Sequence, residues 1–299
     1  MIKKIYLHNS IFMSFFFLVV VTFTVCLIDN AFAYTTEPIT DFTNNKSKDI
    51  QYTDNKIIFY GVEISKGQEE VVAIYKRNKI FEQDTGLAGT DQISDAYVVK
   101  DFPVKEMITL AIPISNGGGS CCMTERFITK TPGNLILTTI DSGQGVINNK
   151  ENIANNIPIA VGIQATELLK KSNILKKVEY SSPYGMYPDY YIVFDSGKFR
   201  LAKPGEFKKE YSKTLSDFIQ GIRKDYNTKA ATPYIDLVET IIFYAAMAGK
   251  SEDEAVSILK STFPKYKEAF LKNSTSSIYS LINSDIDQQF DAVKTEHLK

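Results

Sequence analysis

Histidine is almost absent from this chain: among 299 residues there are two, with three cysteines beside them. Imidazole is the commonest general acid–base group and the commonest metal ligand. His8 falls in the first residues and His297 lies two residues from the last, where chains usually fray. Histidine-dependent hydrolysis and histidine-ligated zinc are therefore excluded as expectations, and no catalytic residue, metal or cofactor is assigned. Charge of one sign is also missing. The chain has 34 Lys plus Arg against 35 Asp plus Glu and no block of like charge. Nucleic acid or an anionic membrane surface would call for a basic patch, so neither is expected as a partner.

The start of the chain carries a different message. Lys3 and Lys4 precede an apolar run over residues 11–28, and Ala31-Phe32-Ala33 precedes Tyr34. A basic start, an apolar middle and small residues at the minus-three and minus-one positions form a bacterial-style export signal, with cleavage expected after residue 33. An uncleaved anchor is the alternative, because the apolar run borders on a spanning length. Phe23-Thr24-Val25 before Cys26 lack the small residues that a lipoprotein signal places beside its cysteine. Removal of residues 1–33 takes away two lysines, one aspartate, His8 and Cys26, leaving the charge near balance. The expected location is the periplasm or the cell exterior.

Patterning then divides the chain. Residues 34–54 are polar and read as a flexible leader. Residues 55–203 hold β-branched and apolar runs bounded by Gly, Pro and Asn, the pattern of antiparallel strands and turns. The runs are 56–64 and 70–75, joined around Ser65-Lys66-Gly67-Gln68, then 96–102, then a meander over 108–140 at the centre of the sheet. Residues 82–94 read as loop and 164–172 as a short helix. Asp141-Ser142-Gly143 and Asp195-Ser196-Gly197 are turns by residue type rather than catalytic aspartates. After Pro204-Gly205 the period changes to 3.6: Tyr211, Leu215, Phe218, Ile219, Ile222 and Tyr226 share one helical face. Thr232 and Pro233 open a nearly all-apolar helix over 234–248, ended by Gly249. Ser251 and Glu254 form a capping box. Pro264 starts a short helix carrying Tyr266 and Phe270. Ser276 or Ser277 starts a last one, with Ile278, Leu281, Ile282, Ile286 and Phe290 on one face. The expected fold class is α+β, an antiparallel β-rich domain at 55–203 followed by a helical domain at 206–299.

Two stretches could carry chemistry. The first is Asn116-Gly117-Gly118-Gly119-Ser120-Cys121-Cys122. Adjacent Cα atoms lie about 3.8 Å apart across a trans peptide, below the usual disulfide span of about 4.4–6.8 Å, so a bond between Cys121 and Cys122 would be strained and easily reduced. Packed thiols, an intermolecular bridge and a soft-metal site are the alternatives. Asn116, Gly118 and Ser120 could present backbone N–H groups to an anion, but the turn lacks the Gly-Lys-Ser/Thr ending of a phosphate loop. Ser120 or Cys121 as nucleophile would need a lysine such as Lys105 or Lys130 for activation. The second stretch spans residues 180–191, five tyrosines on a Pro/Gly-bearing segment. Tyr180, Tyr184, Tyr187, Asp189 and Tyr190 are its candidate contacts for a protein, peptide or glycan of the cell envelope, since tyrosine offers flat amphipathic surface. The competing reading packs these rings on the helical domain.

The run Phe243-Tyr244-Ala245-Ala246-Met247-Ala248-Gly249-Lys250 through Ser261 resembles one helix–turn–helix of a tetratricopeptide-type repeat, present as a single copy. Together with the Gly-Gly-Gly-Ser-Cys-Cys turn and Thr262-Phe263-Pro264, it also resembles uncharacterised exported bacterial proteins, which bring no established activity. The leading expectation is a non-enzymatic binding or accessory module of the envelope. A thiol-dependent redox or soft-metal protein built on the cysteine pair comes second, and a hydrolase lacking histidine third.

Overall fold

The computed structural model describes residues 35–39, 48–53, 55–67, 70–84, 95–115, 123–141, 149–155, 158–163, 187–225, 235–284, 290 and 292–299. The export-like leader, Asp141-Ser142-Gly143 beyond Asp141, the 164–172 helix and the Thr232-Pro233 cap lie outside these residues.

Three antiparallel sheets and a set of helices make up one compact unit from Thr35 to Lys299. The fold class is α+β. A five-stranded meander comprises β2 (Ile50–Thr53), β3 (Lys56–Phe59), β4 (Val62–Lys66), β5 (Glu70–Tyr75) and β6 (Asn78–Asp84). Two of its hairpins turn on residue pairs with positive φ, Tyr60-Gly61 and Lys76-Arg77. Positive φ at both positions matches the right-handed twist of the flanking strands. Tyr60-Gly61 thus splits the run at 56–64, expected as one strand, into β3 and β4. Residues 78–84, partly expected as loop, form β6.

The second sheet has six strands in the order β1 (Thr35–Pro38), β7 (Tyr97–Lys100), β8 (Ile108–Ser115), β9 (Met123–Lys130), β10 (Leu135–Asp141) and β14 (Val293–Leu298). One face meets the five-stranded sheet. Ile57, Phe59, Val62, Ile64 and Val71 pack there against Val98, Leu110, Ile112, Ile128 and Leu137. The other face is also covered, and Thr109, Ala111, Glu125, Phe127, Thr129 and Ile140 are buried on it. A strand covered on both faces has no solvent side to alternate with, which is why β8–β10 read as continuous runs rather than strict alternation.

Covering that second face is a three-stranded sheet of β11 (Ala160–Gly162), β12 (Asp189–Asp195) and β13 (Lys198–Leu201). Phe199 of β13 lies 5.7 Å from the Phe127 ring and 6.0 Å from Phe102. Ser196-Gly197 links β12 to β13 with positive φ at both residues. The expected turn stands, and Asp195 bonds the Ser196 hydroxyl and Arg200. A short helix, α1 (Asn149–Ala154), not expected from the sequence, precedes β11.

Beyond lie α2 (Lys208–Asp225), α3 (Ile235–Met247), α4 (Glu252–Thr262) and α5 (Glu268–Asn283). Every residue of α3 is buried, as its all-round apolar sequence requires. The capping box on α4 is present: the Glu254 N–H bonds the Ser251 hydroxyl, and the Ser251 N–H bonds the Glu254 carboxylate at 2.8 Å. The expected pair of helices from Pro264 and Ser276 is one helix, α5. Ser276 lies inside it, its hydroxyl donating to Glu252 at 2.6 Å, and the neighbouring Thr275 hydroxyl bonds the Leu271 carbonyl one turn back. Among the described residues, no helix is long and apolar enough to cross a membrane.

Both ends of the expected division differ from the structure. Residues 35–38 and 50–53, expected as flexible leader, pair in two sheets, anchored by Ile39 and Ile50 in the core. Residues 293–298, expected as part of the helical domain, form β14 and pair with β10. Val293, Thr295 and Leu298 lie toward the protein while Lys294, Glu296 and His297 are exposed, so the period there is nearer two than 3.6. His297 accordingly does not fray. It stands opposite Ile136 within the sheet, its side chain exposed.

Candidate functional site

Asn116, Gly118, Ser120, Cys121 and Cys122, with Tyr180 and Tyr184, lie outside the described residues. The structure fixes what flanks the first group: Ser115 pairs with Met123, so the glycine-cysteine segment closes the β8–β9 hairpin. Lys130 is at the far end of β9, opposite Ile108. Lys105 falls in the turn leading into β8, at that same far end. An eight-residue strand spans roughly 24 Å at about 3.4 Å per residue. Both lysines therefore lie about one strand length from Ser115 and Met123, the described residues that flank the glycine-cysteine segment.

The tyrosine stretch enters β12 with a sharp change of exposure. Tyr187 is half-buried and Asp189 exposed, whereas Tyr190 and Tyr191 are buried. Successive strand residues face opposite sides, and here both sides are covered. The Tyr190 ring meets Phe243 at 4.4 Å and Phe290 at 5.2 Å. The Tyr191 ring stacks on Tyr211 at 4.4 Å and meets Phe207 edge-on. Tyr190 is thus corrected from surface contact to core anchor, at 0% exposure. Two tyrosines of the helical layer complete the join. Tyr211 Oη accepts from the Tyr191 N–H at 2.8 Å, and Tyr244 Oη accepts from the Asp189 N–H at 3.4 Å. Both bonds lie before β13 begins to pair with β12, so hydroxyls satisfy backbone donors that the neighbouring strand does not reach. Desolvation raises the Asp189 carboxyl above the ordinary aspartate value even though the residue retains exposure.

A second constellation was not legible in the sequence. Glu125, on β9, is 2% exposed and holds two short hydrogen bonds: Tyr97 Oη donates at 2.6 Å to one carboxyl oxygen, Asn149 Nδ2 at 2.6 Å to the other. Asn149 Oδ1 in turn accepts from the Ala160 N–H at 2.8 Å. One carboxyl therefore ties β7 and β9 to α1 and, through Asn149, to β11. Burial pushes Glu125 up to about 7 against the lowering effect of Tyr97 and then Asn149. Tyr97 itself is raised well above its usual value by burial and by Glu125. In the sequence Glu125 stands directly before Arg126, and nothing in that pair sets it apart. The structure sends them to opposite faces, Arg126 bonding Thr139 and Gln83 on the side of the five-stranded sheet.

The third carboxyl lies in α3. Glu239 is 0% exposed, and among the described residues neither carboxyl oxygen has a hydrogen-bond partner; the Tyr190 and Ser274 hydroxyls share that condition. Burial, then Asp236, raises Glu239 to about 10, so it is a neutral acid at physiological pH. The signal that could have marked it is the pair Asp236 and Glu239 inside an otherwise apolar helix. Among the described residues, no group of three or more His, Cys, Asp and Glu is arranged to hold a metal ion.

No family model, curated protein or solved structure matches this chain.

Proposed function

We propose that this protein is an exported, non-enzymatic binding or accessory module of the bacterial envelope, and that residues 180–189 form its contact surface for a protein, peptide or glycan. The export-like leader supports the location. The observation that carries the contact surface is the step in exposure at β12: Tyr190 and Tyr191 are anchored between the sheet and the helical layer, while Asp189 and Tyr187 stay at the surface directly before them. A rigid base beneath amphipathic rings lowers the ordering cost of binding. The test uses a photo-crosslinking residue in place of Tyr187 in the exported protein, with isolated peptidoglycan and envelope extract as probes. Specific adducts that disappear in Asp189→Arg support the reading. Absence of adducts at Tyr187, with the same residue placed at exposed Lys213 as a control, refutes it.

A further inference from the structure

We propose that Glu125 is a proton-operated latch whose neutral form lets the α1 arm dock on the six-stranded sheet and whose ionisation loosens that arm. The geometry is a single carboxyl joining four elements. Tyr97 reaches it from β7 and Asn149 from α1, and Asn149 carries the connection to the Ala160 backbone of β11. Among the described residues, the groups facing it are few. Its cross-strand neighbours, Pro113 of β8 and Ile140 of β10, are not titratable. On α1, Ile153 is buried, and Lys150 lies over the Tyr97 ring at 5.6 Å to the centroid. Arg126 and its partners lie on the opposite face.

With the proton in place, one carboxyl oxygen accepts from Asn149 while the other donates or shares its proton with Tyr97. Once the proton leaves, both neighbours must donate to a buried anion. Those two bonds offset only part of the desolvation, which is why the acid stays above its ordinary value. When α1 moves away, with β11 still paired to β12, the carboxylate meets water and the cost is removed. Opening is therefore favoured as pH rises, and closure as pH falls. The arm reaches the proposed contact surface through β11, because Asn149 bonds the Ala160 N–H and Gly162 pairs with Asp189. Control of that surface by the latch rests on the reading of residues 180–189 given above; the latch itself does not.

Hydrogen exchange of the full chain, read by mass spectrometry over peptides covering residues 149–163 and corrected for the intrinsic rate, tests it. Linkage from the ordinary glutamate value to about 7 gives an expected rise in opening of roughly tenfold between about pH 6 and pH 8. Glu125→Gln, which mimics the neutral acid, should keep the arm protected and insensitive to pH. Tyr97→Phe removes a donor to the carboxylate and should move the midpoint to higher pH. The latch is overturned if corrected exchange in the wild-type arm is flat with pH, if Glu125→Gln retains the rise, or if Tyr97→Phe leaves the midpoint in place. These readouts need no partner, so a failed crosslink at Tyr187 leaves them standing.

Discussion

Replacing Glu239 should stabilise the protein, and the gain should grow with pH. In the folded chain the group holds its proton until about 10, against an ordinary value of 4.5. Between those values folding takes up a proton, so each pH unit costs ~1.4 kcal/mol. From about pH 5 to pH 8 the loss comes to roughly 4 kcal/mol. The sign follows from the raised value: the stability is present below the unfolded-state pKa and declines as pH climbs toward the folded one. Glu125 acts in the same direction over that interval, contributing about 2–3 kcal/mol because its folded value is about 7. Carboxylates held low by partners, such as Glu206 beside Arg200, act the other way, but only as pH falls below the ordinary carboxyl range. Glu239 also leaves both oxygens without partners, a further penalty of about 1–3 kcal/mol. Two variants separate the effects. Glu239→Gln abolishes the titration but keeps a buried amide, so it should flatten the pH slope. Glu239→Leu removes the polar group as well and should be the more stable at every pH, by at least ~2 kcal/mol over wild type near pH 8. Urea unfolding followed by far-UV circular dichroism suits a chain without tryptophan. Wild-type stability that is level from pH 5 to 8, or a leucine variant weaker than wild type at pH 8, would refute the reasoning and show that the carboxyl is satisfied in solution.

Two further outcomes are expected from local geometry. Tyr211→Phe keeps the stacked ring but leaves the buried Tyr191 N–H without its 2.8 Å acceptor, and should cost about 1–3 kcal/mol in urea unfolding; a change below ~0.3 kcal/mol would mean that water takes the place of the hydroxyl. Ser251→Ala removes the cap of α4 and should cost about 1 kcal/mol, with a matching fall in Tm; no measurable loss would count against the reciprocal capping bonds.

What was readable in the sequence was what depends on neighbours in the chain. The Ser251–Glu254 box, the Ser196-Gly197 turn and the buried α3 are decided by residues within a turn or two of one another. Ser276 was misread for the same reason: a serine near a helix has the composition of a cap, and only the tertiary partner, Glu252, shows that its hydroxyl is engaged elsewhere. The pattern of β14 is short and weakly apolar, because one face of an edge strand remains in water, so it blends into the preceding helical period. Tyr190 and Tyr191 look alike in a tyrosine-rich run. That both are anchors depends on Phe243, 53 positions from Tyr190, and Tyr211, 20 positions from Tyr191. Glu125 was the hardest to see, since its partners Tyr97 and Asn149 stand 28 and 24 positions away in opposite directions.

The place of β14 bears on how the chain comes off the ribosome. Its partner β10 ends at Asp141, and about 150 residues intervene before Val293. At about 5–20 residues per second, synthesis of that interval takes on the order of ten seconds. Throughout it, the nascent six-stranded layer presents β10 with an unpaired row of peptide groups, the kind of edge that invites pairing with other chains. Shielding of β10 until Val293–Leu298 arrives would keep that edge from pairing with other chains.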